Sequence, residues 1–299
     1  MRNDKTKKVL ILGAAGMLGH KLCQFYKDKF DICYTVRSSF DRYEKYGIFD
    51  HKKMIEGVDV LDFEKTSDVI RKVSPDILIN CVGIIKQLKE AKDPILSIKI
   101  NSLLPHQLAN LCGRINARFF HISTDCVFNG KKGMYTEADP SNAEDLYGRT
   151  KFLGEVDRPG CLTLRTSIIG RELNTASGLV EWFLGNTGKK VKGFQKAIYT
   201  GFTTIALAKI IENIINDFPD LSGLYQVSSE PIDKFSLLTI IKNKYSLDIE
   251  IEPETQTAID RSLDSRKFRQ ITGFIPPSWE EMITEMADDN TPYDKWHKL

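Results

Sequence analysis

The segment Lys7–His20, KKVLILGAAGMLGH, constrains the fold more than any other part of this chain. Its apolar run Val9–Leu12 is typical of a strand buried on both faces, as in a parallel sheet. Gly13, Gly16 and Gly19 follow this run and lead into a helical pattern. Such a turn brings backbone N–H groups and a helix N-terminus up to a diphosphate, so the segment predicts a dinucleotide-binding unit. A glycine-rich turn that binds nothing has the same spacing, and the prediction therefore depends on the flanking strand and helix.

Apolar runs alternate with helical patterns up to residue 166, which predicts βαβ units. The predicted strands are Val9–Leu12, Ile32–Val36, Gly57–Leu61, Asp76–Val82, Arg118–Ser123 and Cys161–Thr166. The predicted helices are Gly16–Asp28, Lys65–Lys72, Pro94–Arg114 and Asp145–Val156. We therefore expect an α/β fold with a doubly wound parallel sheet of the Rossmann type, which binds ligands beyond the C-terminal strand ends.

The pattern changes after residue 166. Ser167–Lys196 is expected to be irregular, with a basic turn at 188–193, and the polar tail Asp288–Leu299 is expected to fray. The elements predicted between them are helices at Thr203–Asp217, Phe235–Lys244 and Trp279–Ala287 and strands at Tyr225–Ser228 and Ile249–Ile251. We predict a Rossmann domain at 1–166, to which 200–228 return, and a smaller C-terminal α/β substrate-binding lobe formed by 167–199 and 229–299.

Charge and composition exclude several classes of protein. The formal net charge is +2 and no long basic run is present, which argues against nucleic acid as a partner. No run reaches the ~18 apolar residues of a membrane span, and MRNDKTKK lacks the apolar core of a secretion signal, so we expect a cytoplasmic protein without membrane contact. The 6 cysteines include no C-x-x-C pair and no acidic cluster stands out, so no metal site is predicted.

Tyr147 and Lys151, four residues apart in YGRTK, lie on one face of a predicted helix. A free phenol has a pKa near ~10, and a neighbouring ammonium lowers that pKa towards the range useful for proton transfer. Such a pair also occurs by chance on solvated helix faces. Its significance comes from HISTDCVF, where Thr124 follows a predicted strand and so lies at the edge where the cleft is expected. The Thr124 hydroxyl can there bind a substrate carbonyl beside the phenol.

With these motifs in this order, the chain resembles the extended short-chain dehydrogenase/reductase superfamily, and within it the dTDP-4-dehydrorhamnose reductase (RmlD-like) group. The resemblance implies that Tyr147 is the general acid, that Lys151 lowers its pKa and binds the nicotinamide ribose, and that Thr124 polarises the carbonyl. The stretches that carry the resemblance are Ile11–Gly19, His121–Glu137, Tyr147–Glu155, Leu164–Ser167 and Arg261–Phe268.

The resemblance also implies where the cofactor binds. The implied contacts are the amides of Gly13, Gly16, Met17, Leu18 and Gly19 at the diphosphate, Asp59 and Val60 at the adenine, Cys81, Val82 and Gly83 across the cofactor, Asn101 in the helix KINS, and Tyr147 and Lys151 at the nicotinamide. For Cys81, a role as a small buried residue is an equal alternative. Arg37, with Ser38 or Ser39, follows the second strand and can bind a 2′-phosphate, so NADP(H) is preferred and NAD(H) stays open.

The chain departs from the RmlD-like pattern where the sugar is expected. Cys126 stands where the group usually has Tyr, and Lys86 lies in a loop that is usually acidic. The substrate contacts that we predict are Lys86, Asp125, Cys126, Lys192 and Arg261. For any single Lys, a solvated surface position is the alternative. The nucleotide head group stays open between dTDP, UDP and GDP.

The predicted function is an NADPH-dependent reductase of the 4-keto group of a nucleotide-activated 6-deoxy-hexulose, in surface polysaccharide or deoxysugar biosynthesis. Two alternatives stay open. A nucleotide-sugar epimerase of the same superfamily would need NAD held through the cycle or an added base, and no clear base is present. A non-catalytic NADP-binding regulatory subunit would use the same scaffold, although the presence of Thr124, Tyr147 and Lys151 together favours catalysis. The predicted partner is the nucleotide sugar, and the sequence is compatible with a homodimer.

Overall fold

The computed structural model of the protein describes residues 6–297. Its first half contains β1 (Lys8–Leu12), α1 (Met17–Tyr26), β2 (Asp31–Thr35), α2 (Asp41–Glu44), β3 (Met54–Ile55), α3 (Phe63–Val73), β4 (Ile77–Asn80), α4 (Pro94–Ser97), α5 (Leu104–Arg114), β5 (Arg118–Thr124), α6 (Leu146–Leu153) and β6 (Cys161–Thr166). A π-helical segment, Ile98–Leu103, joins α4 to α5, so the predicted helix Pro94–Arg114 is interrupted.

The second half begins beyond Thr166. It contains β7 (Ile168–Ile169), α7 (Leu179–Leu184), β8 (Lys190–Tyr199), β9 (Phe202–Thr203), α8 (Thr204–Asp217), β10 (Gly223–Gln226), β11 (Ile232–Asp233), α9 (Lys234–Lys244), β12 (Glu250–Asp260), α10 (Arg266–Thr272), α11 (Trp279–Ala287) and α12 (Tyr293–His297). Within residues 6–297, no helix combines the length and the apolar character needed to cross a bilayer.

A parallel sheet with the strand order β10-β6-β5-β4-β1-β2-β3 forms the centre of the molecule. Residues 9–12 of β1 are completely buried, as expected for a strand covered by helices on both faces. The order reverses between β1 and β4, and in such sheets the ligand crevice opens at the C-terminal strand ends near the reversal. The predicted α/β fold with a doubly wound parallel sheet is confirmed.

The C-terminal part adds a small sheet with the order β11-β8-β12, while β10 pairs in parallel with β6 of the central sheet. α8 packs against α1, so residues 204–217 cover the same face of the central sheet as the first helix. The division into a Rossmann domain and a substrate-binding lobe stays a prediction.

The strand predicted at Gly57–Leu61 is wrong, because the third strand is the shorter β3 just before it. Val58 donates a single backbone hydrogen bond to Val36, 3.1 Å away, and the chain then turns. The Asp59 carboxylate accepts the Leu61 amide at 3.0 Å, a local bond that competes with continued strand pairing. The valines of this segment resemble a strand, whereas its aspartate determines a turn.

The irregular structure predicted for Ser167–Lys196 is also wrong. The segment contains α7, and residues 190–193 of the predicted basic turn form the start of β8. β8 pairs in parallel with β12, which is much longer than the predicted strand Ile249–Ile251. One face of this ladder is solvated, with Lys190 2.7 Å from Glu250, so the continuous apolar run that would reveal a buried strand is missing.

The tail beyond Asp288 was expected to fray, and over its described residues this expectation is wrong. Residues 293–297 form α12, and Tyr293 is only 1% exposed. The part of the prediction that concerns residues 298–299 lies outside the described residues.

Candidate active site

A glycine turn follows β1 at the C-terminal edge of the central sheet. Gly13 has φ +82°, which an L side chain rarely adopts, and a Cβ added there would lie 2.9 Å from Val82 Cγ2. Its N–H donates to the Thr35 hydroxyl at 3.3 Å, and the Ala14 N–H donates to the Thr35 carbonyl at 3.0 Å. The turn is therefore held between the ends of β2 and β4, where only glycine fits.

The first turn of α1 points towards this edge. Gly16 precedes the helix and has no side chain to cap it, so the amides of Met17, Leu18 and Gly19 lack a capping acceptor. Free N–H groups and the positive end of the helix dipole together favour a bound anion. The geometry is the one expected for a diphosphate site.

Two neighbouring loops carry the predicted adenosine contacts. Arg37 and Ser39 are exposed and Ser38 is half-buried, directly after the strand that holds the glycine turn. Within residues 6–297, the Arg37 guanidinium makes no hydrogen bond or ion pair. The turn after β3 brings half-buried Asp59 and Val60 to the same edge. The predicted adenosine contacts therefore lie on two loops at one edge of the sheet.

The loop after β4 passes over the turn from the other side. The Cys81 amide donates to the Leu12 carbonyl at 3.0 Å, and Val82 and exposed Gly83 follow it. Burial raises the pKa of Cys81 to about 12, so the thiol of this half-buried residue stays protonated.

Asn101 lies in the π-helical segment and is only 1% exposed. Its amide group accepts from the Ile84 N–H at 2.9 Å and donates to the Ile84 carbonyl at 3.0 Å. Both ends of the side chain are therefore used within the protein. The structure places Asn101 as the residue that holds the loop over the cleft.

Thr124 ends β5, and α6 brings Tyr147 beside it. The approach is close: a Cβ added to Gly148 would lie 2.1 Å from the Cys126 carbonyl oxygen, so only glycine is tolerated after the tyrosine. Asp145 begins α6 by accepting the Gly148 amide at 2.8 Å, which fixes the orientation of the first turn. The Thr124 hydroxyl accepts from the Cys126 amide and donates to the Asp125 carboxylate, both at 3.1 Å.

The environment keeps Tyr147 protonated. Burial raises the pKa of its phenol, the Cys126 thiol and the Asp125 carboxyl act in the same direction, and the Thr124 hydroxyl opposes them. Burial lowers the pKa of Lys151 to about 8, and the ammonium donates to the Ile122 carbonyl at 2.7 Å. The pair therefore presents a neutral phenol, which is a proton donor, and a buried lysine one turn further along α6.

Charged side chains from distant segments surround Asp125 and Cys126. Arg261 donates to the Phe128 carbonyl at 2.8 Å and acts electrostatically on Asp125 and Cys126. Lys86 comes from the loop after β4 and pairs with Asp145 at 3.3 Å. Burial raises the pKa of Asp125, and the positive field of Arg261 opposes this shift.

Sequence reasoning missed Lys234, the first residue of α9. It is half-buried, it acts electrostatically on Asp125 and Cys126, and its ammonium makes no hydrogen bond or ion pair among the described residues. A cation at a helix N-terminus is unfavourable, and this misfit was the available signal.

Lys192 does not join this group. It is exposed on β8, opposite Glu252 of β12. In the part of the chain that is described, no group of three or more His, Cys, Asp or Glu side chains could hold a metal ion.

Comparison with known proteins identifies the family. The model of the RmlD substrate binding domain family matches residues 7–291. The Bacillus subtilis (strain 168) spore coat polysaccharide biosynthesis protein SpsK is 27% identical over 299 residues, covering 95% of this chain and 98% of its own. The Mus musculus methionine adenosyltransferase 2 subunit beta is 29% identical over 258 residues, covering 82% of this chain and 74% of its own.

A solved structure shares the fold. The dTDP-4-dehydrorhamnose reductase from Bacillus anthracis str. Ames, in complex with NADP, has a TM-score of 0.76 at 22% identity and covers 94% of this chain and 99% of its own. The chain belongs to the RmlD substrate binding domain family, within the extended short-chain dehydrogenase/reductase oxidoreductases, as its motifs predict.

Proposed function

We propose that this protein is an NADPH-dependent reductase of the 4-keto group of a nucleotide-activated 6-deoxy-hexulose. The observation that carries the proposal is the neutral Tyr147 phenol beside Thr124, on the same helix as buried Lys151, at the sheet edge that also holds the glycine turn. The SpsK relative supports a place in polysaccharide biosynthesis.

The residues at the glycine turn fit a nicotinamide dinucleotide. The uncapped amides of Met17, Leu18 and Gly19 would hold the diphosphate, and the loop Cys81–Gly83, fixed by Asn101, would cover the cofactor. Exposed Arg37 favours NADPH over NADH, because a guanidinium pairs well with a 2′-phosphate. The bound nicotinamide supplies hydride.

The chain itself supplies the proton and the orientation of the ketone. Tyr147 donates its phenolic proton to the carbonyl oxygen as negative charge develops there, and Thr124 donates a hydrogen bond to the same oxygen. Lys151, as an ammonium, stabilises the phenolate that remains. Thr124 now donates to Asp125, so binding of the ketone requires only rotation of its hydroxyl.

The opposite side of the cleft fits an anionic substrate. Lys86, Lys234 and Arg261 place three positive charges around Asp125 and Cys126. A sugar nucleotide brings two negative charges on its diphosphate, and the unpaired Lys234 ammonium can neutralise one of them. Cys126 offers less bulk than the usual tyrosine and leaves room for a larger sugar substituent.

The decisive experiment mixes the purified protein with NADPH or NADH and with 4-keto-6-deoxy sugars that carry dTDP, UDP or GDP. We expect oxidation of NADPH with one of the three, which would define the reaction and the head group together. Tight NADP(H) binding without oxidation in any mixture would contradict the reductase. The regulatory subunit would then be favoured, since the methionine adenosyltransferase subunit beta is a relative.

A further inference from the structure

The last described segment, residues 288–297, packs along α1 rather than extending into solvent. Tyr293 is 1% exposed, and its ring lies edge-on to the Trp296 ring, with centroids 5.4 Å apart. Three of its residues bond to three side chains within about one turn of α1: Tyr293 to His20 at 2.7 Å, Asp289 to Lys21 at 2.5 Å, and Thr291 to Gln24 at 3.0 Å. We call residues 288–297 the C-terminal strap.

One of these contacts continues into the glycine turn. His20 Nδ1 lies 2.8 Å from the Gly16 carbonyl, which can only accept, so this ring nitrogen carries the proton. His20 Nε2 consequently accepts from the Tyr293 hydroxyl, and burial lowers the pKa of His20 to about 4, which keeps the ring neutral. A directed chain of hydrogen bonds thus runs from Tyr293 through His20 to Gly16, the residue before the uncapped amides.

The strap also holds a loop on the other side of the turn. His297 contacts the Glu172 carbonyl at 2.7 Å and the Glu181 carboxylate at 2.9 Å. The Glu172 carboxylate accepts the amide of Gly178 at 3.1 Å and so closes the loop 172–178. This loop lies against the start of α1, because a Cβ added to Gly178 would be 2.8 Å from Met17 Cε.

Ion pairs of the buried Arg171 join the same parts, one to buried Glu181 and one to exposed Asp294 of the strap. Arg171 contacts Glu181 and Asp294, each at 2.6 Å, and lies over the Tyr293 ring at 4.9 Å. The strap therefore contacts both walls of the crevice in which the diphosphate would bind. Residues 292–297 lie beyond the part of the chain that the family model matches.

We infer that the C-terminal strap positions the cofactor site. Tyr293, acting through His20, and His297, acting through Glu172, hold the glycine turn and the loop 172–178 in the arrangement that binds the dinucleotide. They are positioning residues, since neither lies at the reacting atoms. The inference rests on the proposed NADPH site. Because preorganised walls lose little entropy on binding, the strap slows cofactor release without altering the chemical step.

The test compares Tyr293→Phe with Tyr135→Phe in the full chain. Both tyrosines are 1% exposed and both donate a hydrogen bond, but Tyr135 donates to Asn129 and has no hydrogen bond to His20 or to the glycine turn. For Tyr293→Phe we expect the dissociation constant and the dissociation rate of NADPH to rise about 5- to 10-fold, the range set by one lost hydrogen bond. The kcat at saturating NADPH and the KM for the sugar should stay unchanged. Tyr135→Phe should leave all four quantities unchanged.

A Tyr293→Phe protein with a lower Tm but unaltered NADPH binding would overturn the inference and leave the strap a purely structural element. A wild-type protein that binds neither NADPH nor NADH would overturn the proposed function as well. Hydrogen exchange on the wild type gives a second test that needs no variant. Added NADPH should slow exchange in residues 289–297 together with 16–20, and protection confined to 16–20 would overturn the inference.

Discussion

The cofactor side of the cleft offers mainly backbone groups, whereas the opposite side offers charged side chains. On the first side, the turn at Gly13 and the amides from Met17 onward follow residues 9–12 of β1, which are completely buried. On the second, Lys86, Lys234 and Arg261 come from a loop, a helix start and the end of β12. Fixed backbone groups therefore dominate the cofactor side of the cleft, and charged side chains dominate the other.

The two sides of the cleft are expected to respond differently to the substrate and to salt. Backbone donors on a rigid sheet give one geometry, which suits a cofactor that is the same in every cycle. Side-chain cations adjust to different sugars, but charges that are partly exposed are weakened by salt. Added salt should therefore raise the KM for the sugar nucleotide more than it raises the KM for NADPH.

The largest expected effect lies where the two sides meet. Lys151→Met should lower kcat by about 100- to 1000-fold, because the phenolate left on Tyr147 loses its counter-charge. The pKa of Lys151 is about 8, so the wild-type rate should fall as the pH rises above that value and the ammonium is lost. Rates measured from pH 6 to 10 would check both statements, with Arg149→Gln, an exposed change on the same helix, as the control.

The same variant should have the opposite effect on stability. Lys151 has a lower pKa in the folded chain than the 10.5 of the free side chain, so the unfolded state binds more protons between these values. The resulting destabilisation is fully present below pH 8 and disappears as the pH rises towards the unfolded value. Lys151→Met should raise the free energy of unfolding at pH 7 by about 1–3 kcal/mol. A less stable and fully active variant would contradict both roles.

The next prediction concerns the cofactor side of the cleft. Arg37→Gln should raise the KM for NADPH about 10- to 100-fold and leave the KM for NADH unchanged, because only the 2′-phosphate loses a charge-assisted bond. Arg42→Gln, on the neighbouring α2, is exposed and serves as the control. Equal losses with both cofactors would show that Arg37 acts on the fold and not on the phosphate.

The smallest predicted effect concerns the substrate side of the cleft. Lys234→Gln should raise the KM for the sugar nucleotide about 10-fold with no change in NADPH binding, since it removes one unpaired cation near the diphosphate. Lys192→Gln should change that KM by less than about 2-fold, because Lys192 is exposed beside Glu252. Lys72→Gln on α3 is a remote control. A larger effect at Lys192 than at Lys234 would support the sequence-based prediction instead.

The sequence predicts the features that depend only on residues close together in the chain. The glycine turn and the pair Tyr147 and Lys151 need only a strand, a helix and a fixed spacing, and these were read correctly as fold elements. Lys234 was not predicted, because only tertiary packing brings it near Asp125, which is more than 100 residues away in the chain. Chain patterns contain no distance between segments so far apart.

The C-terminal strap was not predicted, for a related reason. A helix as short as α12 is not stable by itself, so its sequence carries little helical signal. It forms because Tyr293 packs on His20, Trp296 packs on Tyr46 and Asp294 pairs with Arg171. The turn at Asp59 shows the converse case, in which local side-chain bonding overrides an apolar pattern.

In the proposed reaction, NADPH gives hydride to the carbonyl carbon of a sugar-nucleotide ketone and Tyr147 gives a proton to the carbonyl oxygen. Its most direct test uses NADPH that carries deuterium at the transferable position, followed by mass spectrometry of the sugar nucleotide. The wild type should place one deuterium on the former carbonyl carbon, and Tyr147→Phe should slow this transfer at least about 100-fold. A wild type that binds NADPH yet transfers no deuterium to any 4-keto-6-deoxy sugar nucleotide, or a Tyr147→Phe variant that transfers it at the normal rate, would contradict the claim.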